Sequence, residues 1–324
     1  MFYMGVGEEI TAAKIIYMGT GEIGVPTLAA LLNSRKYRII AVITQPDRPA
    51  GRSRALHTPA PKILALERGI LVLQPEKLQA DLQAISALEP DLIVTMAYGQ
   101  ILPRWILQLP KVACLNIHPS LLPRHRGASP IHAALLHGDT ETGITILYMS
   151  SEVDSGDILL RESIAIANRE TSGHLQSRLS EMAPHTLMRA LHLLEIGSAP
   201  RLPQDSALAT YSPRLTKQDA RLCWMEDAES LDRRVRAMHP WPGAFCLWKE
   251  NETGSKRLRV LEAEPREDRK GIPGEVLSVN REGITVRCFG GSLLLQRVFP
   301  EGKRSMLATE FSRGHRIRIG DIFG

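Results

Sequence analysis

Short, almost continuously apolar runs alternate along the chain with stretches whose apolar residues recur every three or four positions. The runs at 14–18 (KIIYM), 38–44, 71–73, 91–95 and 112–117 are too short for helices and predict buried strands. Residues 25–32, 60–68 and 79–88 carry helical patterns between them. Alternation of this kind predicts an α/β fold with a mostly parallel, doubly wound sheet. Residues 130–136 add a helix and 142–149 (TGITILYM) a β-branched strand. Residues 172–194 have the spacing of a long amphipathic helix, with Leu175, Leu179, Met182 and Leu187 on or near one stripe.

The pattern then changes. Residues 197–213 hold three prolines among Ser, Gln, Asp and Thr, which predicts a linker between one domain over 14–196 and another over 214–324. In the second, a short helix over 230–238 precedes strands at 244–248, 257–263, 274–279, 283–287 and 292–298. Short strands with frequent turn signals predict a small β-barrel of the OB type, a common nucleic-acid scaffold.

A chain of 324 residues suits two domains of this kind. Cys114, Cys223, Cys246 and Cys288 form no Cys-x-x-Cys pair, which points to a reducing compartment and away from a zinc ribbon or a disulfide framework. No apolar run approaches the roughly 18 residues of a membrane span. Residues 1–13 carry Glu8 and Glu9 and no basic residue, so they read as neither signal nor transit peptide but as a disordered extension or a misassigned start, Met4 and Met18 being other methionines. The expected location is cytoplasmic, with no membrane partner. The net charge of +5 is unevenly placed: residues 1–210 hold 19 basic and 19 acidic side chains, and residues 211–324 hold 21 and 16. A basic module joined to a neutral one fits a polyanionic partner, nucleic acid before membrane; a solvated basic surface fits it as well.

Between the first strand and helix lies Gly19-Thr20-Gly21-Glu22-Ile23-Gly24, the Gly-x-Gly-x-x-Gly of dinucleotide sites in its usual context. Such sites need an acidic residue at the end of the second strand. That strand ends Thr44-Gln45-Pro46, and Asp47 lies beyond it in a proline-rich turn. No NAD site is expected, and the glycines are read as serving a tight turn and close helix–sheet packing. The insertion 45–62 (QPDRPAGRSRALHTPAPK) has four prolines and sets Arg48, Arg52, Arg54 and Lys62 against Asp47. It predicts an irregular, exposed loop near the strand tips, able to grip a phosphate backbone, with a mobile solvated loop as the plainer reading.

The candidate chemistry lies over 115–157. Asn116 and His118 are two apart at the end of an apolar run, so they share one strand face. Pro119, Pro123 and Gly127 then force a loop at a strand tip, where open α/β sheets keep their chemistry. Asn116 offers an amide donor to a developing oxyanion, and His118 can relay a proton near neutral pH. Asp154, in the turn 151–157, could fix the histidine tautomer. No serine or cysteine sits beside the pair as a nucleophile, Cys114 reading as a core thiol. The set therefore suits direct attack by a substrate amine on an acyl carbon, although an Asn–His pair with an Asp can equally be structural. His125, His132 and His137 lack ligand spacing and read as surface or helix-packing residues, so no metal is expected.

Asn-Ile-His-Pro-Ser-Leu-Leu-Pro-Arg-His-Arg-Gly-Ala-Ser-Pro-Ile (116–131) with Val-Asp-Ser-Gly-Asp (153–157) resembles the 10-formyltetrahydrofolate-dependent formyltransferases. Met-Gly-Thr-x-Glu (18–22), Thr-Gln-Pro-Asp-Arg-Pro-Ala-Gly-Arg (44–52) and His-Pro-Trp-Pro-Gly-Ala-Phe (239–245) resemble the branch whose acceptor is initiator methionyl-tRNA. Pro-Glu-Gly-Lys-Arg (300–304) and Phe-Ser-Arg-Gly-His-Arg (311–316) are similar to its C-terminal module. The likeness runs from residue 14 to residue 324 and departs from the family at 21–24, where members often carry Pro-Glu-Phe. It implies a Rossmann-like formyltransferase domain and an OB-like tRNA-binding domain. It also implies formyl transfer from 10-formyltetrahydrofolate to the α-amine of methionyl-initiator tRNA, the product serving translation initiation. The resemblance makes Asn116, His118 and Asp154 catalytic. Ser120, Leu121, Leu122, Pro123, Tyr98 and Leu102 would contact the folate, and Arg48, Arg52, Arg54 and Lys62 the tRNA, Arg48 foremost. A sugar-nucleotide amine as acceptor, or a non-catalytic RNA-binding role on the same scaffold, are the alternatives. Nothing implies an oligomer.

Overall fold

The structure is a computed structural model that describes residues 12–50, 55–251 and 254–324. The chain divides into two compact units. The first gathers Met1–Pro130, Glu141–Ala165 and Gln176–Pro213, and the second Ile131–Thr140, Ile166–Leu175 and Arg214–Gly324.

The chain opens with β1 (Ala13–Gly19), α1 (Val25–Leu32) and β2 (Tyr37–Ile43), followed by a hairpin of β3 (Arg48–Ala50) and β4 (Ala55–His57). Next come α2 (Ala60–Glu67), β5 (Val72–Leu73), α3 (Leu82–Ser86), β6 (Leu92–Met96), α4 (Arg104–Leu107) and β7 (Ala113–His118). A two-residue strand β8 (Arg126–Gly127) leads to α5 (Pro130–His137), β9 (Glu141–Tyr148), β10 (Ile158–Ala165), α6 (Ser172–Glu195) and β11 (Tyr211–Ser212). The main sheet runs β10-β9-β7-β6-β1-β2-β5. The pairs β1–β2, β1–β6, β6–β7 and β2–β5 are parallel, while β9 is antiparallel to β7 and to β10. Ile15, Ile16, Tyr17 and Met18 are all fully buried, which is why β1 reads as one unbroken apolar run.

One expectation needs correction, and two further stretches carry structure that the pattern does not show. The 45–62 insertion is not wholly irregular: β3 and β4 form an antiparallel ladder pairing Arg48 with His57, and α2 begins before the stretch ends. Strand β10 escaped the sequence reading because its second half alternates buried and exposed positions, with Arg161 and Glu162 breaking the apolar run. Residues 197–213 carry pairings of their own to the first unit. Leu202 pairs with Ile158 in both directions, and β11 lies parallel to β8, opposing Tyr211 to Arg126 and Ser212 to Gly127.

From β1 the chain first builds β2 and β5 on one side, then crosses to β6 on the other, so the strand order reverses between β1 and β6. The loops leaving these two strands close on each other there. The Thr20 and Gly21 N–H groups donate to the Ala97 carbonyl at 3.2 and 3.3 Å, so amides that a dinucleotide site would offer to a pyrophosphate serve the fold. Gly24 has its own reason: the Tyr17 hydroxyl donates to its carbonyl at 2.9 Å, and an added Cβ would meet the Tyr17 hydroxyl oxygen at 2.2 Å.

Gly143 on β9 is held by close approach as well. A Cβ there would meet the Glu162 carbonyl oxygen at 2.0 Å and Leu121 Cδ2 at 2.8 Å. Gly143→Ala is expected to destabilise the protein by ~1–3 kcal/mol through overpacking, read as a lower urea midpoint at unchanged slope.

The second unit carries α7 (Ala228–Ala237), whose N-cap Asp227 accepts from the Ser230 N–H at 2.7 Å. There follow β12 (Phe245–Asn251), β13 (Gly254–Arg266), β14 (Val276–Val279), β15 (Ile284–Cys288), β16 (Gly291–Pro300), β17 (Met306–Leu307) and α8 (Ala308–His315). The strands form a curled antiparallel sheet in the order β12-β13-β16-β15-β14. The final residues bridge its two edges. Gly324 exchanges backbone hydrogen bonds with Leu247 on β12, while Asp321 and Gly320 bond to Val276 on β14. The core holds Trp248 edge-to-face with Phe311, ring centroids 5.1 Å apart. Strand β17 and helix α8 were not foreseen, eight residues giving too few turns of periodicity to stand out.

Candidate active site

Asn116 and His118 project from the C-terminal end of β7, as period-2 geometry requires. The turn that follows β9 carries Asp154 back to them. One carboxylate serves both: Asn116 Nδ2 donates to Asp154 Oδ1 at 3.1 Å, and His118 Nδ1 lies 3.5 Å from Asp154 Oδ2. The Gly127 backbone N–H donates to the same Oδ2 at 2.8 Å. Both side chains of the His118–Asp154 pair are largely buried, at 4% and 12% exposure.

The orientation of each group follows from its neighbours. Thr95, which pairs with Asn116 across the β6–β7 ladder, donates its hydroxyl to Asn116 Oδ1 at 2.7 Å. The amide nitrogen is thereby turned to the carboxylate, which can only accept. Its second N–H has no partner among the described residues. His118 Nε2 faces the His125 carbonyl at 2.9 Å, so Nε2 carries a proton. In the neutral ring the nitrogen left with a lone pair is Nδ1, and Asp154 places negative charge beside it. The tautomer is thus set by a main-chain carbonyl, a part the sequence had given to Asp154. His125 itself is 2% exposed and lies in the site loop, which corrects its reading as a surface or helix-packing residue.

The loop after His118 is firmly held. Ser120 N–H bonds back to the His118 carbonyl at 2.9 Å, and the Ser120 hydroxyl donates to the Arg124 carbonyl at 2.7 Å. Thr145 on β9 donates to the Ser120 carbonyl and accepts from the Leu122 N–H, while Arg161 donates to the Leu122 carbonyl. Leu121 and Pro123 are half-buried beside the site. Leu122 is fully buried against Leu147 and Ile158. Tyr98 and Leu102 point into the apolar core with Ile16, Ile43 and Ile93, and burial, with Asp81 nearby, pushes the Tyr98 phenol up to about 12. Burial likewise pushes the Cys114 thiol up to about 12, which makes it a core thiol rather than a nucleophile.

The four basic residues of the insertion fare differently. Arg48 is exposed on β3. Lys62 is on α2 and half-buried, its ammonium bonded to Asp47 at 2.7 Å and to Gln74 at 2.6 Å. Those two partners hold the Asp47 carboxyl below the usual carboxylate range, Gln74 most strongly. Arg52 and Arg54 lie outside the described residues. Sequence reasoning missed Thr95, the Gly127 N–H and Gln204; only the register of adjacent strands could have pointed to Thr95.

A doubly wound sheet with an Asn–Asp–His cluster at one strand tip, and no serine or cysteine bonded to that cluster among the described residues, is an arrangement suited to acyl transfer, and the chain belongs to the formyl transferase family. The family model described as formyl transferase matches residues 13–191, and its C-terminal domain model matches residues 214–316. Among curated proteins, the methionyl-tRNA formyltransferase of Methylacidiphilum infernorum is 40% identical over 315 residues, covering 96% of this chain and 98% of the relative. That of Syntrophus aciditrophicus is 42% identical over 314 residues, covering 96% and 99%. Among solved structures, an N-formyltransferase from Helicobacter canadensis in complex with folinic acid and dTDP-3-aminofucose superposes with a TM-score of 0.63 at 15% identity, covering 88% of this chain and 99% of that one. HypX from Aquifex aeolicus in complex with tetrahydrofolic acid gives 0.60 at 18% identity, covering 96% of this chain but 49% of that one. Both likenesses concern the fold. No helix among the described residues is long and apolar enough to cross a membrane.

Proposed function

We propose that this chain transfers a formyl group from 10-formyltetrahydrofolate to the α-amine of methionyl-initiator tRNA, giving N-formylmethionyl-tRNA for translation initiation in the cytoplasm. The observation that carries this reading is the Asp154 carboxylate shared between the Asn116 amide and the His118 imidazole. The amine nitrogen gives its electron pair to the formyl carbon, and the carbonyl oxygen becomes an oxyanion that accepts the free Asn116 N–H. His118 Nδ1 takes the proton the amine loses, with the Asp154 charge beside it. Collapse breaks the bond from the formyl carbon to N10 of the folate, which leaves with that proton. Such donor and proton-transfer roles are the usual sources of rate in acyl transfer without a covalent enzyme intermediate. The relatives named for methionyl-tRNA, about 40% identical over nearly the whole chain, support this acceptor.

We assign the folate to the Ser120–Pro123 loop and the acceptor tRNA to the β3–β4 hairpin and the second unit. An exposed arginine on a hairpin and a basic excess over 211–324 support a polyanionic acceptor over an amino-sugar nucleotide. Labelled 10-formyltetrahydrofolate incubated with methionyl-initiator tRNA or with an amino-sugar nucleotide tests the assignment. Label is expected on the tRNA; label only on the sugar, or RNA binding with no transfer, would overturn it. Arg48→Ala is expected to raise KM for the tRNA about tenfold or more, by loss of a charged phosphate or base contact, with folate affinity unchanged. An equal loss of both affinities would contradict the role given to the hairpin.

A further inference from the structure

A second layer of groups stands behind Asp154, and it comes from residues 204–212, outside both stretches matched by the family models. Gln204 uses its whole side-chain amide. Nε2 donates to the main-chain carbonyls of Asp154 and Gly156, each at 2.8 Å, and Oε1 accepts from Arg126 Nε at 3.1 Å and Nη2 at 2.9 Å. An amide has two N–H groups and two lone pairs, so this capacity is filled. Arg126 is only 3% exposed, and its neighbour Gly127 gives the N–H that receives the Asp154 carboxylate. One side chain thus ties the turn that bears Asp154 to the strand that holds its carboxylate from the other side.

The same segment fixes the groups around His118. Thr210 bonds through its hydroxyl to the His125 N–H at 2.8 Å and through its carbonyl to the Arg126 N–H at 2.8 Å. The His125 carbonyl, which sets the His118 tautomer, is therefore held by this strap as well. Asp154 has φ +51, a left-handed conformation that a residue with a Cβ keeps only when its surroundings hold it there. The two Gln204 bonds grip the turn on both sides of Ser155.

We propose that Gln204 is a positioning residue for the Asp154 carboxylate, keeping it between Asn116 and His118. The inference rests on the formyl-transfer reading of that site. Gln204→Glu keeps the length and the Arg126 contact but removes both donors, and Gln204→Met keeps the volume while removing all four bonds. Each is expected to lower kcat by roughly 10–100-fold with both KM values within about threefold, as displacements near 1 Å do at a reacting centre. Because Gln204 acts through Asp154, Gln204→Glu in an Asp154→Asn background is expected to cost less than about threefold more. A kcat of Gln204→Glu within about twofold of the parent, or equal losses in both backgrounds, would overturn the proposal. So would losses that merely follow the folded fraction in a thermal melt, a parallel that positioning alone would not produce. A parent chain that forms no formylated product is the separate outcome that removes the formyl-transfer reading, and this inference with it.

Discussion

Asp154→Ala is expected to cut turnover at least ~100-fold while leaving the fold intact, because three groups lose one partner together. Asn116 Nδ2 and the Gly127 N–H lose their acceptor, and His118 Nδ1 loses the charge facing it. The Asp154 side chain lies in the turn between β9 and β10, against polar partners at the tip of β7 rather than in the apolar core, so folding has little to lose. Asp154→Asn separates charge from shape. The amide keeps an acceptor for one neighbour but removes the negative charge beside Nδ1, so most of the kcat loss should remain. Single-turnover rates with saturating substrates are the measurement. Rates within about threefold of the parent in either variant would remove Asp154 from the chemistry.

Asn116→Ala is the second large effect, expected at roughly 10²–10³-fold in kcat, or about 2.7–4 kcal/mol, the range for loss of one oxyanion donor. Two features separate it from a general disturbance. Thr95 has an alternative contact at Met149 Sδ, 3.5 Å away, so its hydroxyl is not left stranded. The loss should fall on kcat with KM for the folate little changed, since the donor meets an oxygen that is charged only in the transition state. Asn116→Asp is the sharper control: a carboxylate beside Asp154 reverses the sign offered to the oxyanion and should be at least as damaging as alanine. Normal turnover in Asn116→Ala would end the oxyanion assignment.

Much of this site was legible in the sequence, for a local reason. Asn116 and His118 are fixed by strand periodicity, and two prolines and a glycine announce the loop that follows. The buried parallel strands were equally plain because both faces of β1 and β6 are covered, leaving long apolar runs. What escaped depends on contacts distant in sequence. Gln204 looks like one polar residue in a proline-bearing connection, and nothing local shows that it reaches back 50 residues to Asp154 and 78 to Arg126. Lys62 had the composition of a phosphate grip, yet Asp47 and Gln74 already hold its ammonium. The carbonyl that orients His118 belongs to the backbone of His125 and carries no sequence signal at all. The residues proposed for the folate divide on similar grounds, since burial of Leu122, Tyr98 and Leu102 is a matter of which sheet face they meet.

The foot of the β3–β4 hairpin joins the strand tips through a short chain of bonds. Lys62 and Gln74 hold Asp47, Gln74 holds the Gln45 carbonyl, and the Gln45 N–H rests on the Thr20 hydroxyl, which donates in turn to the Tyr98 carbonyl. Tyr98 follows β6, the strand that bears Thr95 and so aligns Asn116. The hairpin foot and the reacting centre therefore share one frame of reference. Under the proposed placing of the acceptor at the hairpin, this frame would work as a ruler: amines at one reach from the grip would arrive at Asn116, and those at another reach would fall short or overshoot. Selection by length can then precede any reading of the acceptor's chemistry.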